Sequence, residues 1–304
     1  MKHIRIEGGT KLSNYIKPML AKLSDEPAFD HPDWVFEIKW DGYRAVAEIA
    51  DTIRFYSRNG TTFQKAYPKI YDELRSVEHD AIIDGEVIAF GKDGKPSFQA
   101  LQNYNNRKNV PVLYYVFDCI EFEGRDITTL PLHERKEILK QLLPESKIIR
   151  YCDHIIEGGK VFYDEIVRAD LEGMIAKHKD SLYYKGKRSS SWLKIKNIQS
   201  EEAVIVGYTD PKGSRLGFGA LMLAKYEDDQ LKYIGNIGTG FNDKLLTELY
   251  IKLIAIKRES SPLDISIKET KEMHWVEPVY TCKIKFTEKT EQGIIRHPVF
   301  LGLV

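Results

Sequence analysis

The stretch FEIKWDGYRA, residues 36–45, decides how the chain is read. It alternates as a strand should, with Val35, Glu37 and Lys39 on one side and Phe36, Ile38 and Trp40 on the other. Yet Lys39, Asp41 and Arg44 lie in it, around Gly42. An unpaired ammonium is costly to bury, and such a lysine tends to give up its proton. A deprotonated lysine is a nucleophile, and other cations beside it favour that form. Arg44 suits bidentate contact with phosphate or hydroxyl oxygens. Gly42 permits a backbone path that a bulkier residue resists. Together these residues predict an amine poised beside a phosphate clamp.

The 304 residues favour two domains. Hydrophobic residues make up 42% and charged residues 30%, the balance of a soluble globular protein. No apolar run approaches the ~18 residues of a membrane span, and the amino terminus lacks a signal-peptide core. A cytoplasmic protein without membrane partners is expected. Lysine plus arginine equals aspartate plus glutamate at 45 each, so nucleic acid would have to meet a local basic face rather than bulk charge. Cys119, Cys152 and Cys282 are scattered and no C-x-x-C pair occurs. They read as reduced, buried residues rather than a zinc site.

Downstream, TIRFYSRNG ends in the turn signal Asn59-Gly60 and pairs with the first strand as a hairpin. Residues 68–77 read as a helix, and DAIIDGEVIAFGKDGKPSF as a strand, a turn and a return. VLYYVFDCIEF is a strand and HERKEILKQLL a helix. EGMIAKHKDSLYY and SSSWLKIKN are strands around a basic loop. Past residue 198 the pattern becomes short strands with one helix, residues 243–257, which predicts a small barrel of the OB kind. GNIGTG, residues 235–240, has neither the Lys-Ser/Thr nor the frame of a phosphate loop, and reads as a β-turn before that helix.

KWDGYR resembles the K-x-D-G-x-R motif of covalent nucleotidyltransferases: ATP-dependent DNA ligases, RNA ligases and mRNA capping enzymes. SRNG (57–60), DGE (84–86), YVFDC (115–119), EGMIAK (172–177) and GKRSSSWLKIK (186–196) resemble the later motifs in the family's order. RNG with DGE and W-x-K-x-K is closer to DNA ligases. FGALMLAKYED, GNIGTGF and RHPVFLGL resemble the C-terminal domain of bacterial ligase D-type enzymes of non-homologous end joining.

The resemblance implies an α+β fold. An adenylation (nucleotidyltransferase) domain of ATP-grasp-like antiparallel sheets with helices would span 1–198, and an OB-fold barrel 199–304. It implies that ATP leaves AMP covalently on Lys39, with Mg2+ or Mn2+ held at Glu172. Glu37 would lie at the adenine edge and Phe117 would stack on the base. Arg44 and Glu86 would hold the ribose hydroxyls. Arg188, Lys194 and Lys196 would grip the α-phosphate, and Arg58 would meet the 5′-phosphate of a nick. Asp41 would support the site. A hinge near Asn197 would open and close the domains. Arg107-Lys108, Lys185-Lys187-Arg188 and Lys212-Arg215 are candidate DNA contacts, each equally readable as a solvated charge run. The implied partners are nicked duplex DNA and a Ku-type end-binding protein, with the enzyme a monomer. Family members continue past RHPVFLGL into a basic R-x-D-K element, which the 304 residues do not include. The rival readings are an RNA ligase, a GTP-using capping enzyme, or a nick-binding module that forms no covalent adduct.

Overall fold

The structure is a computed structural model describing residues 12–24, 26–91, 94–104, 110–264, 267–290 and 292–304. It divides into two compact units, 1–197 and 198–304. In the first unit the run around Lys39 is not one strand. β1 (Leu20–Leu23) precedes β2 (Trp34–Ile38), which stops one residue before Lys39. β3 (Tyr43–Ile49) then starts in a different sheet, so residues 39–42 form a connector between sheets. The alternation that predicted a continuous strand runs through this crossing unbroken. Gly42 makes the crossing possible: a Cβ there would lie 2.1 Å from the Val87 carbonyl oxygen.

β3 pairs antiparallel with β4 (Arg54–Ser57), as the expected hairpin does, through residues 50–53, while the Asn59-Gly60 turn follows β4; β3 pairs also with β5 (Ala81–Ala89). Between them lies α1 (Pro68–Glu73), shorter than expected because residues 74–76 tighten into a 3₁₀ turn. After β5 the chain returns through a Phe90–Pro96 bridge and makes α2 (Phe98–Gln102), which Ser97 caps. β6 (Val112–Phe122) pairs with β5, with the short β7 (Arg125–Asp126), and in parallel with β8 (Ile149–Tyr151). α3 (Leu132–Leu142) lies between β7 and β8. The first sheet therefore runs β4-β3-β5-β6-β7, with β8 beside β6.

The second sheet runs β1-β11-β10-β2-β9 and adds β9 (Ile155–Ile156), β10 (Gly173–His178) and β11 (Arg188–Lys196). β1 joins β11 in parallel. Both sheets are thus mixed, where the resemblance implied antiparallel ones; parallel edge strands reach their partners through the long intervening segments. α4 (Gly159–Arg168) covers one face through Ile166 and Phe162 against Phe36, Met174 and Ile195. The other face meets the first sheet through Val35, Trp192 and Met19 against Phe117 and Ile120, with Leu132 of α3 in the same cluster.

The second unit is a β-barrel of the OB kind. Its strands are β12 (Gln199–Thr209), β13 (Leu221–Glu227), β14 (Gln230–Ile237), β15 (Lys257–Arg258) and β16 (Met273–Phe286), then β17 (Glu288–Lys289), β18 (Ile295–Arg296) and β19 (Val299–Leu303). The main sheet follows β14-β13-β12-β16-β15, with β19 on β16. GNIGTG closes β14 and leads to α5 (Asp243–Ile254), capped by Asn242. Lys257, expected at the end of that helix, pairs with Val276 of β16 instead, next to Arg258 on Trp275. α5 buries Leu246, Leu249 and Leu253 in the barrel core. All three cysteines are buried and free.

Candidate active site

Strand register assembles the site. On the second sheet Glu37, Ile175 and Lys194 lie directly opposite one another across β2, β10 and β11, and therefore on one face. One step toward the strand ends, the Lys39 N–H donates to the Gly173 carbonyl at 2.9 Å, and Gly173 pairs with Lys196. Glu172 precedes β10, its backbone fixed by the Asn197 N–H at 3.0 Å. Lys39 and Glu172 are consequently neighbours, and the Lys39 ammonium donates to the Glu172 carboxylate. The Lys196 ammonium lies 3.9 Å from the other Glu172 oxygen. The Lys39 side chain is 19% exposed, so the nucleophile is reachable rather than sealed in a core.

The first sheet supplies the opposite wall. Arg44, Glu86 and Tyr115 are paired across β3, β5 and β6. Desolvation pushes the Glu86 carboxyl up to about 8, against the pull of Arg44 and Lys39 and with Asp84 and Glu172 repelling. Arg44 grips buried Asp84 in two-pronged fashion, Nε and Nη2 donating at 2.5 and 2.6 Å, and Tyr183 donates to the same carboxylate at 2.6 Å. Desolvation, then Arg188, Lys196 and Lys39, hold the Lys194 ammonium below its ordinary value. Three charged motifs from distant sequence thus share one electrostatic field.

Two expected nucleotide contacts are deeply placed. Glu37 is 2% exposed, with Lys136 at 2.6 Å and Lys177 at 2.7 Å on its two oxygens. Burial works against its charge, but the two ammonium groups outweigh burial and hold Glu37 below the usual carboxylate range. Phe117 is 8% exposed, and the Arg44 guanidinium and Lys177 ammonium lie over its ring at 4.5 and 4.3 Å. Arg188 is exposed at the start of β11, bonded to the Ala21 carbonyl. Arg58 is exposed in the turn after β4, its N–H on the Arg44 carbonyl at 3.1 Å. Of the expected DNA contacts, Lys185 pairs with Asp126 at 2.7 Å, Arg215 donates to the Phe218 carbonyl at 2.9 Å, and Lys187 and Lys212 are exposed. Arg107 and Lys108 lie outside the described residues.

Sequence reasoning missed Asp84, Lys136, Lys177 and Tyr183. Asp84 and Lys177 stand inside quoted motifs, so position was a usable signal; Lys136 reads as an ordinary helix lysine.

Glu172 offers a hard oxygen donor beside Lys39. Among the described residues no group of three or more His, Cys, Asp or Glu side chains forms a metal cage. A hard divalent cation completed by substrate phosphates fits that donor.

The ATP dependent DNA ligase domain matches residues 18–196, and the ATP dependent DNA ligase C terminal region matches residues 214–303. The chain belongs to the ATP-dependent DNA ligase family. Multifunctional non-homologous end joining protein LigD of Pseudomonas aeruginosa is 35% identical over 306 residues, covering 97% of this chain and 36% of that protein. This ligase-family chain thus spans about a third of the length of the LigD relatives it matches. The SPbeta prophage-derived DNA ligase-like protein LigB of Bacillus subtilis is 28% identical, covering 94% of this chain and 98% of LigB. Among solved structures, the ligase domain of M. tuberculosis LigD superposes with a TM-score of 0.58 at 26% identity, covering 95% of both chains. ATP use comes with the family. Among the described residues no helix is long and apolar enough to cross a membrane.

Proposed function

We propose that the protein seals 5′-phosphate/3′-hydroxyl nicks in duplex DNA through a lysyl-AMP intermediate and a DNA-adenylate. The observation that carries this reading is Lys39 held by Glu172 at the end of three strands, with Lys194 and Lys196 on the neighbouring strand. Lys39 would attack the α-phosphorus of ATP, forming a P–N bond as the bond to pyrophosphate breaks. The ammonium must first lose a proton, and the Glu172 carboxylate, already its acceptor, is placed to take it. Lys194, Lys196 and Arg188 would offset charge on the phosphoryl oxygens. An oxygen of the nick's 5′-phosphate would then displace Lys39 from that phosphorus, with Arg58 as a contact. The 3′-hydroxyl finally attacks the 5′-phosphorus and AMP leaves.

In this reading Glu86 and Arg44 face the ribose hydroxyls, and Phe117 and Glu37 the adenine. Buried Glu37 and cation-loaded Phe117 would then act from beneath the base rather than as open contacts. Mg2+ or Mn2+ would be held by Glu172 with the substrate phosphates, and when bound would neutralise charge on the transferred phosphoryl group. Residues 1–198 would carry adenylation, and the OB barrel, 199–304, would help hold DNA as a monomer. The relatives' name, non-homologous end joining protein, supports a place in end joining; a Ku-type partner and a cytoplasmic, nucleoid-associated location belong to the same proposal.

The test is incubation with α-labelled ATP and Mg2+, followed by a labelled nick. A labelled band lost in Lys39→Ala, and sealing that needs ATP, are expected. Labelling by GTP instead, sealing of RNA only, or nick binding without any adduct would replace this reading with one of its rivals.

A further inference from the structure

Helix α3 lies outside every motif, yet it sends two consecutive charged side chains into the protein interior. Arg135 is fully buried and holds both oxygens of Asp118 at 2.8 Å, which fixes the backbone next to Phe117. Lys136 is 3% exposed and donates to Glu37 at 2.6 Å and to the Cys152 carbonyl at 3.2 Å. Glu37 in turn binds Lys177, whose ammonium rests over Phe117 and over Trp192, each at 4.3 Å. The Arg44 guanidinium lies over the same Phe117 ring, and Arg44 acts with Lys39 on Glu86. A continuous run of contacts therefore leads from α3 to the wall of the site opposite Lys39.

Buried ion pairs stabilise little relative to apolar side chains of the same size, because desolvation offsets their attraction. What they fix well is geometry. Glu37 carries one negative charge between two ammonium groups. With both partners present it is pinned at each oxygen, and Lys177 is free to share its charge with the two aromatic faces. Without Lys136, Glu37 would swing wholly onto Lys177 and draw that ammonium off the Phe117 ring. Arg44 would lose the surface it packs on.

We propose that Lys136 is a positioning residue for nucleotide binding, acting through Glu37 and Lys177 on Phe117 and Arg44. The proposal rests on the adenylation reading of Lys39. Lys136 does not reach Lys39, so its removal should weaken nucleotide binding and leave the bond-forming step nearly intact.

The test measures the rate of AMP adduct formation against ATP concentration, on the full chain. Lys136→Met should raise KM for ATP about tenfold with the maximal rate within about twofold of wild type. Lys136→Arg should lie between the two, at three times the wild-type KM or more. Glu37→Gln should raise KM similarly, and Glu37→Gln with Lys136→Met should be no worse than the worse single change. Should Lys136→Met fail to fold, Lys136→Gln, which removes the charge but keeps a donor, decides alone: a threefold or larger rise in KM supports positioning and an unchanged KM overturns it. A Lys136→Met protein with lowered melting temperature but wild-type KM would make the ion pair purely structural and overturn the proposal. Wild-type protein that forms no adduct would instead overturn the adenylation reading itself, and this proposal with it.

Discussion

Lys39 and Glu172, 133 residues apart, are joined by an ammonium-to-carboxylate hydrogen bond where the connector after β2 meets the residue before β10. The pair sits where the Lys39 backbone is also tied to Gly173, so both ends of the lysine are held. A nucleophile positioned at each end loses little freedom on reaching phosphorus. Glu172→Ala should therefore slow single-turnover adduct formation by about 10²–10³-fold, while Glu172→Gln, which keeps the shape but accepts no proton, should be nearly as slow. Rapid-quench measurement of adduct formation checks this; a Gln variant within fivefold of wild type would remove Glu172 as the proton acceptor.

Glu86 gives a pH signature. Its carboxyl is pushed from the ordinary glutamate value of 4.5 up to about 8 in the folded chain, mainly by desolvation. A group raised on folding contributes stability that is complete below its unfolded value and is lost as pH rises through its folded value. Stability should thus fall between pH 4.5 and about 8, by at most about 5 kcal/mol at roughly 1.4 kcal/mol per unit. Glu86→Gln should flatten that part of the profile and melt higher than wild type at pH 9. Thermal melts of both proteins across pH 5–9 decide it; parallel profiles would mean that Glu86 is ionised throughout.

Which parts of this fold were legible follows from what makes a signal local. β6 was readable because its eleven residues are rich in β-branched and aromatic side chains, and α3 because its apolar residues keep helical spacing. The connector at Lys39 was not, because strand alternation persists through it and only the packing of Gly42 against Val87 reveals a crossing. α4 was missed because it opens on Gly158 and Gly159 with no side-chain cap, a pair that reads as loop. Lys39 and Glu172 were legible from motif chemistry. Glu37 with Lys136 was not: the partners are 99 residues apart, and nothing in a helix lysine declares that it points inward.

Asp84 should be a stability residue as much as a site residue. It is fully buried and accepts from Arg44 and Tyr183. Asp84→Asn leaves the Arg44 guanidinium short of a counter-charge, which costs about 3–5 kcal/mol. Arg44→Met added to Asp84→Asn should recover part of that loss, because the unpaired charge is gone. Urea unfolding of Asp84→Asn, Arg44→Met and the double variant measures it; additive losses would mean that the two side chains act independently.

Gly42 is where fold and chemistry meet most tightly. A Cβ there would stand 2.1 Å from the Val87 carbonyl oxygen and 2.9 Å from the Ile88 side chain. Val87 lies within β5 and pairs with Tyr43, so the sheet cannot step aside without breaking its ladder. The connector must move instead, and Lys39 moves with it. Gly42→Ala should destabilise the protein by about 1–3 kcal/mol, the usual range for an overpacked site. Adduct formation should fall further than that loss implies, by about 100-fold at a temperature where the variant is fully folded, because a shift of about 1 Å at the nucleophile is enough. Melting curves and adduct rates on the same preparation separate the two effects. A lower melting temperature with wild-type adduct formation would show that the connector absorbs the methyl group without displacing Lys39, and that Gly42 serves the fold alone.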